Sequence, residues 1–104
     1  MLAGRTRLTY NTGVDFEWDP AKAAANFVKH GVDFAEAIGV FDDPSLLRIV
    51  DDRIVVETRY QAVGMVNGLI LFVVYTLRGE RRRVISALRA NRRERAAYTV
   101  QAGG

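Results

Sequence analysis

The sequence predicts one α+β domain in which helices cover a small antiparallel sheet. The chain has 104 residues, 49% of them hydrophobic, which is enough to bury one modest core. Its periodic segments follow the order strand, two helices, three or four strands and a last helix, and that order is typical of the α+β class. We expect the domain to span residues 14–100, with a flexible extension at residues 1–13 and a frayed tail at residues 101–104.

The domain begins with a predicted strand and helix. Residues 14–18 alternate between apolar and acidic side chains, which indicates a short half-buried strand. Asp19 can cap the helix that follows, and Pro20 suits its first position, where no amide donor is needed. This helix should run to about Lys29, because Gly31 supplies its stop.

Two further helices are indicated by capping-box patterns. Asp33 with Glu36 begins the second helix, and the Asp-Asp-Pro sequence at residues 42–44 ends it. Asn91 with Glu94 begins the last helix, which should reach about residue 100. The apolar residues of the second helix share one face at helical spacing; they are Phe34, Ala37, Ile38 and Phe41.

Between these helices the sequence predicts a strand meander. Residues 46–50 form a first strand, and residues 54–65 form a long second one. Asn-Gly at residues 67–68 is a hairpin signal. Residues 69–77 are apolar on both faces, which is typical of a central strand, and residues 82–88 form the last strand after a turn.

The charge of the chain is unevenly distributed, although the net charge is only +3. Residues 33–57 contain seven acids and two bases, whereas residues 78–98 contain eight arginines and two acids. Arginine binds phosphate oxygens through a planar fork and stays charged at any working pH. The arginine-rich segment therefore indicates a phosphodiester partner, with an ordinary solvated basic face as the alternative.

Composition and motifs exclude several classes of site. The chain has no cysteine, which removes disulfides and thiolate metal sites and fits a reducing cytosol. His30 is the only histidine, so a metal site of several histidines is excluded. No nucleotide-binding glycine loop or serine-hydrolase motif occurs, and the longest apolar run is too short to span a bilayer. We expect a cytoplasmic protein without metal, cofactor or membrane partner.

The first helix offers one set of candidate residues. Lys22, Asn26 and Lys29 are spaced four and three apart, so they project from one side of the helix. His30 follows at the helix end. This stripe could face phosphates with a titratable imidazole beside it, or it could be an exposed surface with a histidine that caps the helix.

The sheet offers a second set. Glu57, Arg59 and Gln61 share one face of the long strand by the two-residue period. Alternate residues from Arg83 to Arg89 share a face of the last strand, so one of these arginines could stand near Glu57. RNA cleavage without metal needs a base, a cation at the phosphorane and an acid, and these residue types supply all three. A solvated sheet face is the alternative.

A set of short motifs runs through residues 14–98 in a definite order. The motifs are Phe16-Glu17-Trp18-Asp19 with Lys22 and Asn26; Lys29-His30-Gly31-Val32; Phe34 with Glu36-Ala37; Val40-Phe41-Asp42-Asp43-Pro44; Glu57 with Arg59; Gly64; Val73-Val74-Tyr75-Thr76; Arg83-Val84-Ile85-Ser86-Ala87; and Arg92-Arg93-Glu94-Arg95 with Tyr98. Together they resemble the BrnT toxin family, the ribonuclease half of a bacterial type II toxin–antitoxin pair.

The resemblance implies a RelE-like fold and metal-independent cleavage of RNA that arrests translation. It also implies neutralisation by a BrnA antitoxin with a ribbon-helix-helix part, through which the complex binds operator DNA; a higher-order toxin–antitoxin oligomer is left open. The candidate catalytic residues are Glu57, Arg59, Arg83 and His30. Lys22, Lys29 and Arg89 are the candidate RNA-binding residues.

One position departs from the family pattern. The family usually reads Ile-Ser-Ala-Arg at the end of the last strand, whereas this chain has Leu88 there and Arg89 one place later. A shift of one residue turns a side chain to the other sheet face. Either Arg89 reaches the site because the strand ends or bulges, or one cation is missing. The alternative function is therefore a weakened or inactive toxin that serves as an antitoxin-binding module.

Overall fold

The computed structural model of the chain describes residues 6–9, 15–51 and 57–103. Its element order confirms the predicted α+β class. The elements are β1 (Thr6–Thr9), β2 (Asp15–Trp18), α1 (Pro20–His30), α2 (Phe34–Ala37), a 3₁₀ helix (Ile38–Asp42), β3 (Leu47–Asp51), β4 (Arg59–Val66), β5 (Leu69–Arg78), β6 (Arg81–Arg89) and α3 (Arg92–Gln101). The predicted strand over residues 54–65 falls partly outside the described residues.

The described strands form one six-stranded sheet in the order β1-β2-β6-β5-β4-β3. Neighbouring strands are antiparallel except β2 and β6, which pair in parallel through Phe16 with Arg82 and Glu17 with Arg83. The predicted small antiparallel sheet is thus confirmed for the other neighbouring pairs, and the pair of β2 and β6 is the exception. Within the predicted extension at residues 1–13, Thr6–Thr9 pairs with β2 as an edge strand, and the other residues of that segment lie outside the described part of the chain.

The predicted ends of α1 and α3 are confirmed. The Asp19 carboxylate accepts a hydrogen bond from the Ala21 amide, and Gly31 adopts a left-handed conformation with φ of 71° after α1. At α3, the side chains of Asn91 and Glu94 each accept a hydrogen bond from the other's amide, which is a complete capping box.

The second helix differs from its prediction. Asp33 caps α2 by accepting from the Ala35 amide, but Glu36 accepts a hydrogen bond from the Asn67 side chain instead of completing a capping box. The α-helix lasts only four residues and continues as a 3₁₀ helix. Gly39, a weak helix former, lies in this tighter segment.

The main core lies where α1, α2 and the 3₁₀ helix cover one face of the sheet. Aromatic rings dominate it: Phe16 and Phe41 have centroids 5.2 Å apart, and Trp18 meets Phe34 edge to face. Gly64 of β4 permits a close approach of the 3₁₀ helix, because a Cβ at this position would lie 3.0 Å from the Cβ of Val40. The 3₁₀ helix thus packs directly on β4.

The two faces of the sheet follow from the strand registers. The core face carries the buried residues Ala62, Val73, Tyr75, Val84 and Ala87. The opposite face, which we call the outer face, carries Gln61, Val63, Val74, Thr76, Arg83 and Ser86. Among the described elements, α3 covers one end of the outer face: Tyr98 packs there with Val63 and Ala90, against Leu47, Ile70 and Phe72.

Candidate active site

A bulge in β6 determines which of its arginines reach the outer face. Tyr75 pairs with Val84 and Val74 pairs with Ser86, so Ile85 is the extra residue of the bulge. Arg83 and Ser86 consequently lie on the outer face, whereas Ala87 and Arg89 lie on the core face. The predicted common face from Arg83 to Arg89 is therefore wrong.

Arg83 belongs to a row of polar residues that crosses the outer face. Its Cα pairs with Glu17 on β2 and with Thr76 on β5, and Arg59 of β4 follows on the far side of Thr76, since Tyr60 pairs with Tyr75. Adjacent strands lie about 4.8 Å apart, so the Cα atoms of Arg83 and Arg59 are separated by about 10 Å. The Thr76 hydroxyl donates to the Thr58 carbonyl at 2.7 Å.

Glu17 forms the first of two ion-pair centres on this face. Its carboxylate is only 1% exposed, and it contacts Arg83 Nη1 at 3.2 Å and Arg81 Nη1 at 3.4 Å. A buried carboxylate is costly unless it is paired and hydrogen-bonded. The centre, which we call the Glu17 centre, holds two guanidinium groups on one carboxylate and so keeps a net positive charge.

Glu57 forms the second centre, in a more exposed position. Its carboxylate contacts Arg78 Nη2 at 3.3 Å and lies 4.0 Å from Arg59 Nε. Arg59 Nε is buried and has no hydrogen-bond partner in the described part of the chain. The Glu57 centre borders a pocket of about 450 Å³, which is lined by Glu57, Thr58, Tyr60, Thr76, Leu77 and Arg78.

The stripe on α1 divides into a structural residue and a basic rim. Asn26 is buried, and its amide accepts from the Ala87 amide while donating to the carbonyls of Ala87 and Val32. It thereby continues the hydrogen bonding of β6 beyond the end of β2. Lys22, Lys29 and His30 surround a shallow pocket of about 250 Å³ whose floor includes Ile85 and Ser86.

The structure therefore brings together most, but not all, of the predicted site residues. Arg83, Arg59 and Glu57 share one surface, and the pocket of Lys22, Lys29 and His30 adjoins it at Ser86. Arg89 lies apart: it pairs with Leu71 on the core face, whereas Leu88 pairs with Phe72 on the outer face. Arg89 therefore does not replace the cation that is missing from the outer face at Leu88.

Another arginine of the basic run serves the core instead of the site. The Arg82 guanidinium lies 4.6 Å from the centroid of Phe41 and 6.0 Å from that of Tyr75, which are cation–π distances. Burial lowers the pKa of Arg82, and nearby Arg48 adds to this effect although Tyr75 opposes it. Burial likewise raises the pKa of Tyr75, against the influence of Arg82.

Sequence reasoning missed Glu17, Arg78 and Arg81. Glu17 was assigned to the polar side of a half-buried strand, where a carboxylate is expected to meet solvent. A weak signal was present: Arg81 and Arg83 are spaced two apart in a strand, and two cations on one face favour a carboxylate between them. Which acid supplies it depends on the pairing of β2 with β6, which joins distant parts of the chain.

Residues 15–51 and 57–103 contain no cluster of three or more histidine, aspartate or glutamate side chains arranged to hold a metal ion. No helix in the described part of the chain is long and apolar enough to cross a membrane.

A family model matches residues 18–94, which is most of the chain, and its description is the ribonuclease toxin BrnT of a type II toxin–antitoxin system. The chain belongs to the BrnT family. The predicted family is thereby confirmed, and its members are described as ribonuclease toxins. Comparison with curated proteins found no significant match. The matched residues run from the end of β2 to the first turn of α3, so they include all the candidate residues except Glu17.

Proposed function

We propose that this protein is an endoribonuclease toxin that cleaves RNA without a metal ion and thereby arrests translation in the cytoplasm. The observation that carries the proposal is the row of Arg83, Thr76 and Arg59 across the outer face. Two guanidinium groups on either side of an uncharged residue can bind the non-bridging oxygens of one phosphate. Membership in a family of ribonuclease toxins supports the same conclusion.

The proposed reaction is an intramolecular transfer within the RNA chain. The 2′-hydroxyl oxygen attacks the adjacent phosphorus while a base removes its proton, and the bond from phosphorus to the 5′-oxygen breaks as an acid protonates that oxygen. The products are a 2′,3′-cyclic phosphate and a 5′-hydroxyl end. Arg83 and Arg59 stabilise the charge that builds on the phosphorane oxygens.

Two residues are candidates for the proton transfers. Glu57 stands in the bend two residues before β4, beside Arg59, and His30 stands at the end of α1 in the pocket that reaches Ser86. They contact different parts of this surface, Glu57 beside Arg59 and Arg78 and His30 in the pocket with Ser86, and a base and an acid that serve the entering and leaving oxygens act from different sides of the phosphate. Lys22 and Lys29 surround the same pocket and would hold neighbouring phosphates of the RNA backbone.

Cleavage of RNA in EDTA by the purified protein tests the proposal. We expect fragments with 5′-hydroxyl ends, which a polynucleotide kinase labels without prior phosphatase treatment. The Arg83→Ala variant should cleave far more slowly and lose toxicity in cells. Absence of cleavage by the parent protein, with an Arg83→Ala variant that is equally toxic, would contradict the proposal.

The pH dependence of the cleavage rate assigns the proton-transfer groups. If both residues act, the cleavage rate should rise and then fall with pH, and His30→Gln and Glu57→Gln should each remove one limb of the profile. A profile that His30→Gln leaves unchanged would show that His30 only caps α1.

We further propose that a BrnA-type ribbon-helix-helix antitoxin neutralises the toxin and that operator DNA is bound only through their complex. Membership in a type II toxin–antitoxin family supports an antitoxin partner. Co-expression with the protein encoded by the adjacent gene should restore growth and yield a stable complex by size-exclusion chromatography. Tight binding of operator DNA by the toxin alone would contradict the second part.

A further inference from the structure

The Glu17 carboxylate is a buried charge to which the reaction proposed above assigns no role. It lies in β2, next to Arg83 of β6, and its two oxygens face different guanidinium groups: Oε2 contacts Arg83 and Oε1 contacts Arg81. The side chain of Arg83 is 17% exposed, whereas that of Arg81 is 40% exposed. The Glu17 carboxylate therefore contacts the Arg83 guanidinium from its buried side, and the solvent-facing side of that guanidinium stays accessible.

The hydrogen bonding of Arg83 leaves most of its guanidinium donors free to bind a phosphate. In the described part of the chain, the one hydrogen bond of its side chain is donated by Nη1 to Glu17 Oε2. Arginine has five donors in a planar fork, so the remaining ones stay available to phosphate oxygens. An arginine held through one nitrogen loses rotamer freedom before the substrate binds, and this lowers the entropic cost of binding.

Glu17 also offsets repulsion among the neighbouring arginines. Arg81 and Arg83 lie on the same face two residues apart, and Arg78 pairs with Arg81 across the hairpin. Without a carboxylate between them, these guanidinium groups would repel one another and would turn toward solvent.

We infer that Glu17 is a positioning residue, which orients the Arg83 guanidinium toward the scissile phosphate of an RNA substrate. The inference rests on the proposed function, because the phosphate that Arg83 meets is the one cleaved there. Glu17 does not touch the RNA in this arrangement and transfers no proton. Its effect on cleavage therefore passes entirely through Arg83.

A double-mutant cycle between Glu17→Gln and Arg83→Ala tests this dependence. Glutamine keeps the size of the side chain and removes its charge. We expect Glu17→Gln to reduce the maximal cleavage rate at least tenfold in the parent protein and to have no further effect in the Arg83→Ala background. Independent, multiplicative losses would show that Glu17 acts through the general stability of the fold and would overturn the inference.

Two companion variants control for charge and folding. Glu80→Gln removes the same charge from the exposed turn before β6 and should leave the cleavage rate unchanged. Glu17→Asp keeps the buried charge but withdraws the carboxylate by one methylene group, so it should fold and still lose most of the cleavage rate. Parent-like cleavage by a folded Glu17→Asp variant would overturn the inference.

Binding of an uncleavable RNA separates this inference from the proposed function. The probe is an oligonucleotide with a 2′-deoxy sugar at the cleaved position, measured by fluorescence anisotropy. If the parent protein binds this oligonucleotide but does not cleave ordinary RNA, the catalytic proposal fails. Positioning by Glu17 is still supported in that case if Glu17→Gln weakens binding in the parent protein and has no effect on binding in the Arg83→Ala background. If RNA is cleaved normally by Glu17→Gln, the positioning role fails and the catalytic proposal stands.

Discussion

The two ends of the outer face differ in what covers them and in what they carry. At one end, Tyr98 of α3 packs on Val63 and buries an apolar cluster. At the other end, four arginines surround Glu17 and Glu57, and no described helix lies over them. The same sheet face thus supplies a second small core where α3 lies and a cationic surface where it does not.

This difference indicates that one end of the strands contributes mainly to stability and the other mainly to the proposed activity. A covered face gains free energy from the burial of apolar area, whereas an open face of like charges destabilises the fold unless acids offset it. Glu17 and Glu57 supply that offset at the open end. We therefore expect substitutions at the open end to change RNA cleavage and substitutions at the covered end to change stability.

Arg59→Ala should have the largest effect at the open end. Loss of one cation at the phosphorane should remove about 3 kcal/mol of transition-state stabilisation, which lowers kcat/KM roughly a hundredfold. Because the Arg59 side chain is 38% exposed and its Nε has no hydrogen-bond partner in the described residues, the free energy of unfolding should change by less than about 0.5 kcal/mol. Arg93→Ala on the exposed side of α3 is the control for loss of charge; an equal loss of activity in that variant would contradict the division.

Asn26 sharpens the comparison, because it borders the open end but serves stability. Asn26→Ala removes three hydrogen bonds to the backbone of Val32 and Ala87. It should lower the free energy of unfolding by roughly 2–3 kcal/mol, measured in urea. Lys22→Ala, one turn earlier on the same helix, should change stability little and weaken RNA binding. Equal stability of the two variants would contradict the structural role of Asn26.

Asp43 tests the covered end. It accepts hydrogen bonds from the Tyr98 hydroxyl at 2.5 Å and from the Met65 amide at 2.7 Å, and so ties α3 to the sheet. Burial alone would raise the pKa of Asp43, but these bonds and one from Ser45 outweigh it and lower the pKa below the ordinary 3.8. The stabilisation is therefore complete above about pH 3.8 and is lost as the pH falls through the lowered pKa.

Tyr98→Phe should remove most of that dependence. We expect a loss of about 2 kcal/mol in the free energy of unfolding at pH 7, because a hydrogen bond to a charged group is lost. The difference from the parent protein should shrink as the pH falls below the pKa of Asp43. Urea unfolding of both proteins from pH 2 to pH 7 measures it, and cleavage at pH 7 should be retained while the variant is folded. A constant difference at every pH would show that Tyr98 acts by packing alone.

Leu88→Arg should give the smallest of these changes, a modest gain in the cleavage rate. Leu88 lies at the boundary between the covered and the open end of the outer face. Leu88 lies on the outer face opposite Phe72, so an arginine there can extend toward the row of Arg83 and Arg59. We expect a gain of about 1 kcal/mol in transition-state stabilisation, roughly fivefold in the cleavage rate. The matched variant Arg89→Leu should have no effect, because Arg89 faces the other way. A loss of activity in Arg89→Leu would show that RNA also contacts the core side of β6.

The local features of the fold were predictable. Asp19, Gly31 and the pair of Asn91 and Glu94 end or begin helices as predicted, because capping depends on residues within one turn. The Asn67-Gly68 hairpin forms with positive φ at both residues, as a two-residue turn between twisted strands requires.

The candidate site was only partly predictable. Glu57 lies 4.0 Å from Arg59 Nε, but it stands in the bend before β4 and not within the predicted strand, so the two-residue period of a strand does not account for the contact. The grouping of Arg83 with Arg89 failed because the bulge at Ile85 adds a residue to one strand only. Asn26 has the same spacing as Lys22 and Lys29 but bonds to β6, and helical spacing alone does not distinguish a buried amide from an exposed one.

By itself, the sequence determined the α+β class, the helix caps, the hairpin, the basic character of β6 and the family. All of these depend on residues close together in the chain or on their order. Only the tertiary structure decided that Glu17 is buried between Arg81 and Arg83, that Leu88 faces the site and Arg89 does not, and that α3 leaves one end of the outer face open. Each of these depends on a pairing between distant segments, where the free energy of the whole sheet selects the register.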